Sequence, residues 1–427
     1  MPALISVAEK GLIGKVIEPD GQSVVRVDAT VTDSVFDALR QLAFDAEGVE
    51  GLLTFFVQKG REYIRVRNYV GLLTLPDGTQ LEILPKIGPA STSRSLLLTM
   101  LRYLDHGPFR TRSSASTMAT QLPLWEVFVT AFLDALEPLV LQGVQRSYVT
   151  VEGNERFWKG KFQAIRHQRE NAQRAERLAV AYDRLTADVP PNRILKTTLF
   201  YLRQRNHSPA VQQRIRQLDW ALDDIPVSES IPHDLKRVKL ANRMFARYES
   251  ALRWAEALLG NRAYGVKVGQ TADLSLLFPM ERVFEDYVSH GIRRYWPNAD
   301  AVTVQESTAY LVDEHIGTPK FKLRPDILIR HNDRTFVLDM KWKELVGRDQ
   351  SRNYGIEQAD LYQLYAYGKK YGASDLFLIY PTNETFRAPL PVFGYDPQTR
   401  LHVVPFEIMN PLANEVEKLA NYALSFQ

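Results

Sequence analysis

The stretch RPDILIRHNDRTFVLDMKWK, Arg324 to Lys343, decides how the rest of the chain is read. Two apolar runs, Ile327-Leu328-Ile329 and Phe336-Val337-Leu338, flank the polar tetrad His331-Asn332-Asp333-Arg334. β-Branched and aromatic residues on either side of an Asn-Asp pair predict a β-hairpin. With the turn centred on Asn332 and Asp333, facing residues sum to 665 in number, whether the loop has two residues or four. Asp326 then faces Asp339.

Like charges directly opposite on neighbouring strands destabilise a sheet, because their Cβ atoms lie roughly 4.5–5.5 Å apart. Strand side chains alternate, so Lys341 shares the face of Asp339. Three ionisable groups therefore converge where a strand would bury apolar side chains. A divalent cation between the carboxylates would remove the repulsion, and oxygen ligands of this kind suit magnesium. A lysine beside the metal could position or help deprotonate a water and stabilise a pentavalent phosphate. The bland alternative is a solvated edge hairpin with scattered charges. The proline before Asp326 and the Asp-x-Lys spacing favour a metal-dependent phosphodiesterase site.

Pro325-Asp326 followed by Asp339-Met340-Lys341 resembles the PD-(D/E)-x-K nuclease signature. Upstream, LLFPMERVFEDYVSHGIRRYW (Leu276 to Trp296) is helical in period and carries Glu281 and Glu285 one turn apart. Downstream, Gln363-Leu364-Tyr365-Ala366-Tyr367 fits the Q-x-x-x-Y element of RecB-like members of that superfamily. Helix with Glu, hairpin with Asp and Asp-x-Lys, then helix with Gln is the order of that nuclease core. The resemblance implies that Asp326, Asp339 and the Met340 carbonyl hold Mg²⁺, or Mn²⁺ in its place. It implies that Lys341 activates water, that Glu281 or Glu285 supplies the helix carboxylate, and that Gln363 and Tyr367 contact DNA or the lysine. Glu281 is preferred over Glu285 because its place before Arg282 resembles that in related resolvases. For the tyrosine-rich helix the plain alternative is surface packing by Tyr362, Tyr365, Tyr367 and Tyr371.

Composition sets the outer limits. A chain of 427 residues is long enough for two or three domains with ample cores. The net charge is only +3, so any DNA-binding surface must be local. The absence of cysteine excludes disulfides, zinc–thiolate sites and cysteine-ligated iron–sulfur clusters. No signal peptide and no apolar run near about 18 residues is seen, so a soluble, cytoplasmic protein without a membrane partner is expected. No Gly-Lys pair precedes Ser or Thr, so the Walker A phosphate loop is missing and the chain itself is expected to bind no nucleotide.

In chain order, residues 1–90 read as a β-rich module with one helix over Ser34 to Phe44 and a hairpin over Val70 to Ile87 turning at Pro76-Asp77-Gly78. Strands are expected over Val24 to Val31, Leu52 to Val57 and Tyr63 to Val70. Residues 91–275 read as mainly helical, with helices over Ser95 to Asp105, Leu124 to Gln142 and Leu235 to Leu259, a polar link over Thr111 to Thr120, and a Pro190-Pro191 break before a helix from about Asn192. Arg166, His167, Arg169, Arg174 and Arg177 could face phosphates, although the interspersed Glu170 and Glu176 favour a solvated helix face. Residues 276–427 form the expected α/β nuclease domain, so the fold class is α+β and multidomain.

The phrases NYVGLLTLPDGTQLEILPKI (Asn68 to Ile87) and LTADVPPNRILK (Leu185 to Lys196) resemble the McrC family, the nuclease subunits of McrBC-type restriction systems. With the nuclease motifs, the resemblance spans most of the chain in three blocks. It implies an endonuclease subunit that cuts double-stranded modified DNA and stimulates GTP hydrolysis by an McrB-like AAA+ ring. Two other readings are a RecB-like nuclease acting without a GTPase, and a non-catalytic bridge that activates an NTPase.

Overall fold

The computed structural model describes residues 3–16, 27–44, 51–75, 77–88, 91–104, 122–174, 176–239, 243–259, 262–263, 266–267 and 274–426. The link at Thr111 to Thr120, the first three residues of the Val24 to Val31 run and Pro76 lie outside them. By contacts the chain divides into two compact units, one holding residues 125–260 and the other residues 2–110, 116–124 and 261–427.

The larger unit contains a six-stranded sheet, ordered Ala301–Val304, Ile327–His331, Arg334–Met340, Asp375–Pro381, Thr399–Phe406, Phe393–Asp396. The expected hairpin is present, with Ile327 opposite Leu338 and His331 opposite Arg334. Both turn residues, Asn332 and Asp333, have positive φ, 43° and 31°, as a two-residue turn that matches strand twist requires. Arg334–Met340 then runs parallel to Asp375–Pro381, which runs parallel to Thr399–Phe406. These parallel strands are buried on both faces, which is why Leu376 to Ile379 is an unbroken apolar run.

The first 90 residues contribute two four-stranded sheets to the same unit. In one, Leu4–Ala8 pairs with Gln80–Leu84, which pairs with Tyr69–Thr74. The fourth strand is Leu274–Pro279, about 200 residues later in the chain, antiparallel to Tyr69–Thr74. Gly71 makes this possible: its φ is +125°, and a Cβ there would lie 2.0 Å from the Leu276 carbonyl oxygen. The helix expected over Leu276 to Trp296 therefore starts only at Met280, because Leu276 to Pro279 is strand. Tyr63 to Val70 is likewise two strands, Arg61–Val66 and Tyr69–Thr74.

The smaller unit is less helical than its sequence suggests. It holds a three-stranded sheet, Ser147–Glu155, Leu178–Thr186 and Lys161–Phe162, beside the helices Pro190–Arg203, Pro209–Ala221, Ile231–Lys239 and Glu249–Leu259. Pro190 and Pro191 do not precede the next helix but open it, where their missing N–H groups cost nothing. Arg166 is paired with Glu170 at 3.0 Å and Glu152 at 3.5 Å, so it lies in a solvated charge network.

A buried charge cluster locks the parallel strands together. Asp375, 1 % exposed, takes Arg334 at 2.9 Å, Arg400 at 2.8 Å and His402 at 3.1 Å. Burial alone would raise the Asp375 pKa, but His402, Arg334, Ser374 and Arg400 together hold it well below the usual range. A depressed carboxylate pKa stabilises the fold above the ordinary aspartate range, and this is lost as pH falls through the folded value. Asp375→Asn is expected to lower stability by about 3 kcal/mol near neutral pH. In denaturant melts the gap to the parent should stay constant above about pH 5 and narrow towards pH 3. A gap that widens on acidification would refute the assignment.

Candidate active site

The alternation of Arg334–Met340 puts Val337 and Asp339 on one face, and Lys341 continues it. Val337 packs in one apolar cluster with Leu328, Leu364 and Tyr367, so this is the face covered by the helix Gln358–Tyr371. Leu328 is opposite Val337, and one step beyond the last ladder pair the same register sets Asp326 opposite Asp339. Lys341 stays in the sheet, its N–H donating to the Ile379 carbonyl at 2.9 Å. The opposite face is apolar: Phe284 of the helix Met280–Tyr295 packs on Trp342 with ring centroids 5.4 Å apart.

Asp339 is 2 % exposed. Its Oδ2 is buried without a well-formed hydrogen bond and touches Lys341 Nζ at 2.8 Å. Asp326 Oδ2 accepts the Met340 N–H at 2.7 Å. Burial raises the Asp326 pKa, and Asp339 and then Glu285 raise it further, outweighing the Met340 N–H and Lys341. Burial also raises that of Asp339; Lys341 opposes the rise, while Asp360 and Glu285 add to it. For Lys341, burial pulls downward, but Asp339, Asp360 and Asp326 hold the ammonium above its ordinary range. The lysine is thus a firmly charged counter-ion in the absence of metal.

The other expected residues divide clearly. Glu285 acts electrostatically on both aspartates and accepts from Gln305 Nε2 at 2.6 Å. The backbone N–H of Gln305 donates to the Asp326 carbonyl at 2.8 Å, so Gln305 ties the helix carboxylate to the hairpin end. Glu281, preferred from sequence, is exposed in the helix's first turn and accepts from Asn68 Nδ2 at 3.2 Å. Glu285, not Glu281, is the helix carboxylate that Gln305 ties to the hairpin end at Asp326. Gln363 and Tyr367 form a relay: Lys341 Nζ lies 3.4 Å from Gln363 Oε1, Gln363 Nε2 donates to Tyr367 Oη at 2.7 Å, and Tyr367 donates to the Arg324 carbonyl at 3.2 Å. Of the two contacts expected for Gln363, the one to the lysine is present. Tyr367 is buried, as the packing alternative also required.

Sequence reading missed Asp360. It lies 3.5 Å from Lys341 and 3.0 Å from Lys343, one turn before Gln363 on the same helix face. The spacing Asp360, Gln363, Tyr367 was the available signal.

The donor set fits a hard divalent cation: two facing carboxylates, one of them with a buried oxygen met only by the Lys341 ammonium, in a site where their charges repel. Among the described residues no group of three or more His, Asp or Glu side chains could enclose a metal. Magnesium usually keeps several waters and binds through one or two carboxylates with substrate phosphates, so a cage is not required. The carboxylate pair predicts its own test. Asp326→Asn keeps an acceptor for the Met340 N–H and removes one of two repelling charges, so the metal-free protein should melt several degrees higher. The same variant should lose most of the stabilisation that Mg²⁺ gives the parent. A lower melting temperature for the metal-free variant would show that the facing charges do not repel as described.

With the geometry in place, comparison with known proteins is informative. A family model described as "McrBC 5-methylcytosine restriction system component" matches residues 64–381. Among solved structures, a chain of the half-complex from the tetradecameric assembly of Thermococcus gammatolerans McrB AAA+ hexamers with bound McrC aligns at TM-score 0.72 and 18 % identity, covering 99 % of this chain and 100 % of that one. A chain of the Thermococcus gammatolerans McrBC complex aligns at TM-score 0.49 and 20 % identity over 69 % of this chain and 88 % of that one. No curated protein sequence matches. Among the described residues no helix is long and apolar enough to cross a membrane.

Proposed function

Since the chain belongs to the McrBC 5-methylcytosine restriction system component family, we propose that it is the McrC-type subunit that hydrolyses DNA phosphodiesters in such a system. The observation that carries the proposal is the facing pair of half-buried Asp326 and buried Asp339, with Lys341 against Asp339 Oδ2. A bound Mg²⁺ would polarise the phosphate and lower the pKa of a water. Asp326, Asp339 and the Met340 carbonyl would hold it. Lys341, kept charged by its neighbours, orients the attacking water and offsets the charge that builds up on the phosphate oxygens. Gln363, braced by Tyr367, fixes where that ammonium can go. Glu285 supports the site through Gln305.

The partner we propose is an AAA+ GTPase ring, as in the assembly of the similar solved structure. Modified double-stranded DNA is the proposed substrate, in line with the family's description. The test is to mix the purified chain with the cognate ring, GTP, Mg²⁺ and matched methylated and unmethylated duplexes. Cleavage of methylated DNA that needs all components supports the reading. Equal cleavage of plain DNA by the chain with Mg²⁺ alone would instead favour a nuclease that works without a GTPase.

A further inference from the structure

Asp360 stands where two lysines meet. Its Oδ2 lies 3.0 Å from Lys343 Nζ, and Lys343 is held in turn by Glu357 at 2.9 Å. Its Oδ1 lies 3.5 Å from Lys341 Nζ. The side chain is buried at 7 % exposure and sits in the first turn of the helix Gln358–Tyr371, where the helix dipole favours a negative charge. Lys341 therefore has three acceptors within reach: Asp339 Oδ2 at 2.8 Å, Gln363 Oε1 at 3.4 Å and Asp360 Oδ1 at 3.5 Å.

The nearest of these is also the oxygen a metal needs. An ammonium on Asp339 Oδ2 and a divalent cation cannot share that atom, so metal entry requires the lysine to move. A lysine is a compact charge on a flexible stem, and it will leave only if another anion receives it. Asp360 and Gln363 are one helical turn apart and already point at Nζ.

We propose that Asp360 is a positioning residue that takes over the Lys341 ammonium when Asp339 is given to the metal. It keeps the lysine charged and at the edge of the site, and Lys343 keeps Asp360 in place. The inference rests on the nuclease reading, through the metal that Asp339 would hold.

The experiment is a double-mutant cycle read by Mg²⁺ binding to the full chain, using calorimetry and thermal shift, with no cleavage assay. Asp360→Asn should weaken Mg²⁺ binding about tenfold, because the lysine then stays on Asp339. Lys341→Met removes the competitor, so adding Asp360→Asn to it should change binding less than about twofold. Equal weakening in both backgrounds would mean that Asp360 acts only as a distant charge, which overturns the inference. So would unchanged binding in Asp360→Asn. If that variant does not fold, Asp360→Ser repeats the cycle in a site with room for water. A parent that shows no Asp339-dependent Mg²⁺ binding overturns the nuclease reading, and this inference with it. Normal binding without coupling overturns the inference alone.

Discussion

Asp339→Ala is expected to abolish cleavage, by at least about 10³-fold, while leaving the protein folded. The two halves of that expectation come from the same observation. A carboxylate that is 2 % exposed, with a pKa raised by burial despite its lysine partner, contributes little to stability. Removing it leaves Lys341 with Asp360 and Gln363 as partners, so no buried ammonium is stranded. Lys341→Met should abolish cleavage to a similar extent but behave oppositely towards metal. With the competing ammonium gone, Mg²⁺ should bind at least as tightly as in the parent. A variant that binds metal and does not cut separates the role of the lysine from that of the aspartates. Retained cleavage in either variant, with the parent's fold confirmed by its melt, would remove the site assignment.

The core of the site was legible because strand physics is strict. A period of two and a two-residue turn leave one register, and Asp326 opposite Asp339 follows from it. What escaped was set by contacts far apart in sequence. Glu281 and Glu285 are equivalent as a helical pattern, and only the packing of Asn68 and Gln305 tells them apart. Leu276 to Pro279 continues a helical spacing, yet pairing with a strand some 200 residues earlier makes it a strand. Pro279 immediately before Met280 was the local sign of a helix start. The sheet at Ser147–Glu155 and Leu178–Thr186 was hidden by the arginine- and glutamine-rich helix between its strands, although Tyr148-Val149-Thr150-Val151 has the density of β-branched residues that strands prefer.

Cutting the chain before Leu276 is expected to unfold both fragments, although sequence alone makes that point a natural start for a nuclease domain. The cut falls inside the strand Leu274–Pro279, where Leu276 and Leu277 are fully buried and Phe278 is 2 % exposed. Leu277 shares an apolar cluster with Ile13, Phe36 and Leu73, all from the first 90 residues. Burying such a side chain contributes roughly 1.5–3 kcal/mol. Losing three of them from a fold whose net stability is typically about 5–15 kcal/mol removes most or all of it. The segment just past Asp339 has its own tie to the amino terminus, since Trp342 Nε1 donates to Glu9, a carboxylate only 2 % exposed. A fragment starting at residue 276 would leave that indole N–H without its buried acceptor. Replacing residues 125–260 with a flexible spacer of about 20 Gly and Ser residues gives the contrasting variant. It keeps every residue of the larger unit's sheets, so it should melt cooperatively and gain stability from Mg²⁺ as the parent does. A residue 276–427 fragment that melts cooperatively, beside a spacer variant that does not, would show that the amino-terminal strands are dispensable to the six-stranded sheet and that residues 125–260 are not.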